Sequence, residues 1–259
     1  MKPTPLDPQE TWILSANLLI SQLIMLAIGC VGAIMLAGIA SGDWGAVLAG
    51  FSWVGMVGRS LCAQSPATTA IAGCVLAAAF TFVAYRAEKR ALSTDAGRKS
   101  VMATRQGING EMARLPFPLV VALMALTGFA EELLFRFAAM GLAIQLLAPV
   151  LPGPVVAAIA LFVSSTVFWF SHVRYRDLAT TVLTLGLALV LGGAFLATGS
   201  LAVVAIAHAL YDIAVLAIAR VQMSRDPDYF GGPAPTRAML DQLEREETAT
   251  THEEPSSDD

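Results

Sequence analysis

Charge is scarce in this chain: Asp, Glu, Lys and Arg make up 14% of its 259 residues, whereas 56% are hydrophobic, and the mean hydropathy is +0.66. An ordinary soluble domain carries roughly a quarter of its residues as charges, so that class is excluded and the chain belongs in a bilayer. Cysteine is scarce as well. Cys30, Cys62 and Cys74 lie in or beside apolar segments without Cys-x-x-Cys spacing, which excludes a disulfide framework and a thiolate metal site. They read as small buried side chains. There is no basic excess: the net charge is −4, with the acidic residues gathered after Arg237, so nucleic acid is not an expected partner. The N-terminus holds Pro3, Pro5, Asp7, Pro8 and Glu10 in place of a short basic region, and the apolar run after Thr11 is too long for a signal peptide. It is expected to stay as a membrane anchor.

What the chain has in quantity is long apolar runs, several of them near the ~20 residues that cross a hydrocarbon core as a helix. Trp12 to Ala40 exceeds that length and is expected to tilt or to carry an interfacial end. Trp44 to Val57 is shorter and Gly-rich, and reads equally as a marginal span, a re-entrant piece or an interfacial piece. Thr68 to Tyr85 is a clear span, followed by a polar loop to Arg114 that holds Lys89, Arg90, Arg98, Lys99 and Arg105. Leu115 to Leu151 is too long for one crossing, and Gly128 is its expected bend. Val155 to Val173, Leu178 to Thr198 and Leu201 to Ala219 complete the set. The expected fold is an all-α polytopic bundle of about six to eight membrane helices. It divides into N-terminal helices and a basic loop (1–114), a membrane core (115–219) and an acidic, disordered tail (220–259) with a short helix around Thr236 to Glu246. The basic segments Arg86 to Arg114, Arg174 to Arg176 and Arg220 onward fall on one side, and the uncharged turns at Pro152 and Gly199 on the other. The Lys/Arg bias makes the basic side, with the C-terminus, cytoplasmic.

Against this apolar background, Glu131-Glu132-Leu133-Leu134-Phe135-Arg136 stands out, because ionisable residues inside a membrane segment are costly and mark function. Glu132 and Arg136 share a helical face and can pair, which leaves Glu131 free to act on water. Counting back from the Pro152 turn places Glu131 near the basic face. Of the three histidines, His172 and His208 fall in expected membrane helices and His252 in the tail. Phe168 precedes His172 by one turn and can pack beside its ring, and Asp212 follows His208 by one turn and can orient it. A cavity open to the cytoplasm that collects Glu131, His172, His208 and Asp212 would offer hydrolysis its water, its base and its oxyanion donors.

The elements Glu131-Glu132-x-x-x-Arg136, Phe168-x-x-x-His172 and His208-x-x-x-Asp212, in that order, resemble the CPBP family, the CAAX protease and bacteriocin-processing (Abi) intramembrane proteases, over Leu115 to Ala219. The resemblance implies an intramembrane endopeptidase in which Glu131 activates water with His172, His208 and Asp212 support the transition state, and Glu132, Arg136 and Phe168 assist. It implies a peptide or membrane-protein substrate and an integral location in a prokaryotic cell membrane. A divalent metal such as zinc, held by Glu131, His172 and His208, and a metal-free glutamate mechanism are both open under it. Phe137 departs from the family, where Gly often follows the motif arginine, and puts close helix packing there in question. Two other classes compete. One is a non-proteolytic binding or bacteriocin-immunity protein that keeps the motif. The other, a proton-coupled transporter, is weakened by the lack of an inverted repeat.

Overall fold

The first helix, α1 (Pro8–Ser41), begins where the sequence places a capping box: the Asp7 side chain accepts from the Glu10 backbone N–H, Glu10 returns the bond to the Asp7 N–H, and Pro8 occupies the first turn. It ends at Gly42, whose φ of 70° is open to glycine at no steric cost. The computed structural model describes residues 6–172 and 178–225. Among these there is no strand. After α1 come α2 (Trp44–Ala49), α3 (Ser52–Leu61), α4 (Pro66–Ala91), α5 (Asp95–Gln106), α6 (Ile108–Met112) and α7 (Phe117–Glu132). A π-helical segment, Leu133–Met140, continues α7 into α8 (Gly141–Leu147), and α9 (Gly153–Ser171), α10 (Leu178–Thr198) and α11 (Leu201–Arg225) follow.

Among the described residues, six helices are long and apolar enough to cross a membrane: α1, α4, the composite Phe117–Leu147 helix, α9, α10 and α11. The molecule is an all-α polytopic bundle, as its apolar runs require. Trp44 to Val57 does not make a seventh crossing, because Phe51 at φ 50° breaks it into the short helices α2 and α3. Six crossings put both ends of the described chain on one face of the bundle. Hydrogen bonds agree with that topology. The Ser60 hydroxyl donates to the Gly199 carbonyl and the Gln64 amide to the Thr198 carbonyl, each at 2.8 Å, which joins the end of α3 to the α10–α11 turn on one face. At the other, the Arg220 guanidinium donates to the Ala113 and Leu115 carbonyls. There too α5 is clamped to α4 by Arg105 and Glu88 at 2.6 Å.

Small residues set the closest helix contacts, as they do where lipid removes the hydrophobic drive for association. α1 runs alongside the composite helix, with Gly29 against Leu133 and Gly32 against Ala138. The close packing that Phe137 put in question is therefore made one residue later, while Phe137 itself is buried in the core with Leu133, Leu191 and Leu201. The helix does not break at Gly128, and a side chain there would sit 2.8 Å from the Ala205 carbonyl oxygen and the Ala209 nitrogen of α11. The change of winding comes later, at Leu133–Met140. The Arg174 to Asp177 linker and everything after Arg225, including the helix expected at Thr236 to Glu246 and His252, lie outside the described residues.

Candidate active site

The seven residues singled out by spacing meet in one polar cluster inside the bundle. α7 supplies Glu131 and Glu132, the π segment Arg136, α9 and its cap Phe168 and His172, and α11 His208 and Asp212. The composite helix is 31 residues long, about 46 Å and well beyond a bilayer core. Glu131 lies 16 residues (147 − 131) from its Leu147 end, roughly 24 Å, level with the end of the 19-residue α9. Helix α9 stops at Ser171, short of the expected Val173, so His172 is its C-cap and not part of its body.

The cluster has a sealed half and an open half. Glu132 and Arg136 side chains are 0% exposed and His208 3%, whereas Glu131 is 7%, Asp212 21% and His172 36% exposed. In the sealed half, Arg136 Nε lies 3.1 Å from Glu132 Oε2. The guanidinium also stacks on Phe168 at 4.4 Å and donates to the Ala188 carbonyl at 3.4 Å. The expected ion pair is thus present. Spacing gave no hint that the other Glu132 oxygen, Oε1, lies 2.8 Å from Nδ1 of His208, a contact across 76 positions of chain.

In the open half, His172 stacks on Phe168 with ring centroids 4.3 Å apart and planes at 26°, as their one-turn spacing suggested. Its Nδ1 lies 2.8 Å from the Phe168 carbonyl, which can only accept, so Nδ1–H is the donor. Nε2 faces outward, 3.5 Å from Glu131 Oε2. His208 Nε2 is 3.9 Å from the same oxygen and 3.5 Å from Asp212 Oδ2. Glu131 Oε2 is buried with no hydrogen-bond partner. Phe168 closes the cluster from α9, in edge contact with Phe135 at 5.1 Å and tilted against His208 at 5.8 Å. Tyr211, which spacing did not single out, stands apart against Phe80.

The π segment was not foreseen either. It opens directly after Glu132, and its Phe135 carbonyl accepts from the buried Ser164 hydroxyl at 2.8 Å, so α9 supplies a bond beyond those of the π winding. Carboxylate and imidazole are suitable zinc ligands in kind. Among the described residues, however, no three His, Cys, Asp or Glu side chains are disposed together to hold an ion.

Residues 113–214 match the family model described as type II CAAX prenyl endopeptidase Rce1-like, a stretch that contains all seven cluster residues. No match was found among curated proteins or solved structures. The stretch that builds the buried Glu131–His172–His208 cluster is therefore similar to the Rce1-like type II CAAX prenyl endopeptidases.

Proposed function

We propose that the chain is an intramembrane endopeptidase that hydrolyses a peptide bond at the open half of the cluster, with Glu131 as general base. The observation that carries this reading is the orphaned Glu131 Oε2 facing the Nε2 of His172 across 3.5 Å. In the proposed reaction the His172 ring is neutral, so Nε2 and Glu131 Oε2 both accept, and a water molecule admitted between them as they part by about an ångström donates to both. In the proposed reaction that water attacks the scissile carbonyl, its proton passes to Glu131, and His172 holds its second hydrogen. The negative charge that develops on the carbonyl oxygen is met by Nε2–H of His208, acting as an imidazolium with both nitrogens protonated and held by Asp212 until substrate arrives. Glu131 then returns its proton to the leaving amine as the C–N bond breaks.

The family match suggests a CAAX-type peptide, presented from the bilayer, and the Lys/Arg bias suggests that the site opens toward the cytoplasm. The test compares membrane and secreted peptides from cells carrying wild type and Glu131→Gln, alongside cleavage of a prenylated CAAX peptide by the purified proteins. A product present with wild type and absent with Glu131→Gln is expected. Full turnover by Glu131→Gln on a verified substrate sinks the assignment, and loss of biological effect with cleavage absent in both would favour the binding-protein class.

A further inference from the structure

Glu132 divides its two oxygens between two partners. Oε2 faces Arg136 Nε at 3.1 Å, and Oε1 faces His208 Nδ1 at 2.8 Å. A carboxylate kept only to neutralise a buried guanidinium does best in a fork, both oxygens on the guanidinium. Here one oxygen is turned away to another helix. A carboxylate held against a guanidinium is ionised and only accepts, so His208 Nδ1–H must donate. That bond is the closest polar contact of the ring, and the contacts of Nε2 with Asp212 and Glu131 are longer, at 3.5 and 3.9 Å. It fixes the ring plane and directs Nε2 into the open half.

We propose that Glu132 is a positioning residue for hydrolysis: by accepting Nδ1–H it aims His208 Nε2 at the developing oxyanion. Arg136 acts through it, holding Glu132 ionised and in place. The inference rests on the reading of Glu131 as base, and it changes the meaning of the Glu132–Arg136 pair from helix glue to the far end of an Arg136–Glu132–His208 relay that crosses from the composite helix to α11. All three side chains are buried and shielded from solvent.

The test separates positioning from mere structure. Removing one partner strands a buried charge, so the variants change both: Glu132→Met with Arg136→Met, an apolar pair of similar length that typically preserves or raises stability, and Glu132→Gln with Arg136→Met, whose amide oxygen still accepts from Nδ1–H. Full-length protein in nanodiscs is assayed on a quenched fluorescent prenylated CAAX peptide and by 15N NMR of labelled histidine, with the His208 signal assigned by loss in His208→Gln. The double-Met variant is expected to melt close to wild type yet lose at least about 10²-fold in kcat with KM nearly unchanged. The His208 Nδ1 signal should lose its hydrogen-bonded, protonated character. The Gln–Met variant should recover to within about tenfold of wild type. Wild-type turnover by a folded double-Met variant overturns the proposal, as does a His208 Nδ1 that is unprotonated in wild type, a readout that needs no variant to fold. Failure of wild type to cleave any peptide would sink the hydrolase reading instead, and the Nδ1 signal would still decide whether Glu132 holds the ring.

Discussion

Two halves of one cluster, a few ångströms apart, are built on opposite terms. Around Glu132, Arg136 and His208, polar atoms find one another at 2.8 to 3.1 Å and water is shut out. Around Glu131, His172 and Asp212 the separations widen to 3.5 to 3.9 Å, and exposure rises to 36% at His172. The sealed half sets its charges against one another in an ion pair, and the open half holds the buried Glu131 Oε2 beside the half-exposed His172. Buried charge neutralised by an opposite charge argues for geometry, whereas a buried carboxylate with no cation against it argues for chemistry.

The comparison breaks most sharply at Glu131 and Arg136. Glu131→Gln should lower kcat by about 10³-fold, the range of a lost general base, while the melting temperature in detergent stays near that of wild type. Arg136→Ala should do the reverse in kind: it leaves Glu132 buried beside an uncompensated gap and should destabilise the fold by about 3–5 kcal/mol, read by thermal unfolding. If Glu131→Gln instead unfolded the protein and Arg136→Ala left stability intact, the division into two halves would be wrong.

How much of this was legible beforehand follows from what spacing can encode. Glu132 with Arg136, Phe168 with His172 and His208 with Asp212 are each four residues apart, so one helical turn brings each pair together and the sequence declares it. The bond from Glu132 to His208 joins two helices, and its partners are related only through the packing of α7 on α11. Nothing local announces it. The π segment was hidden for a different reason: Leu133–Met140 is apolar almost all round, so there is no polar stripe whose phase would reveal a change of winding. Gly128 was legible as special but not for its purpose, because a glycine that bends a helix and one that admits a neighbouring backbone look alike in sequence. Trp44 to Val57 was ambiguous on length alone, and only the left-handed Phe51 decides it.

Gly128 offers the next test, since it sets the distance between the helix of the base and the helix of His208. Gly128→Leu places bulk where the Ala205 carbonyl and the Ala209 nitrogen stand 2.8 Å from a Cβ, and should cost about 1–3 kcal/mol while also depressing kcat by moving α11. Gly193→Ala on α10, with open space around its Cβ, should leave melting temperature and turnover unchanged. Equal effects from the two would show that α7 and α11 do not need their close approach. A smaller effect is expected from Ser164→Ala, which removes the donor to the Phe135 carbonyl in the π segment. It should cost about 0.5–1.5 kcal/mol in thermal unfolding.

The smallest expected effect sharpens the open half. Its donors are the right kind for zinc, two imidazoles and carboxylates, and Glu131 Oε2 is an orphan that a cation would satisfy. Yet no three of the described side chains are disposed together to hold an ion, and His208 has committed Nδ1 to Glu132 and faces both Asp212 and Glu131 with Nε2. In the proposed metal-free reaction Glu131 and His172 part from their 3.5 Å contact to about 4.4 Å to admit the water that donates to both. Prolonged treatment with 1,10-phenanthroline should therefore leave cleavage of the prenylated peptide within about twofold of the untreated rate, whereas removal of a catalytic zinc would abolish it. Loss of activity that returns on addition of zinc would place the ion between Glu131, His172 and His208, whose 3.5 and 3.9 Å donor separations are near the roughly 3.4 Å edge of a zinc tetrahedron. The open half would then be a metal site, and the role of Glu132 would shift to orienting a ligand of that metal through its second nitrogen.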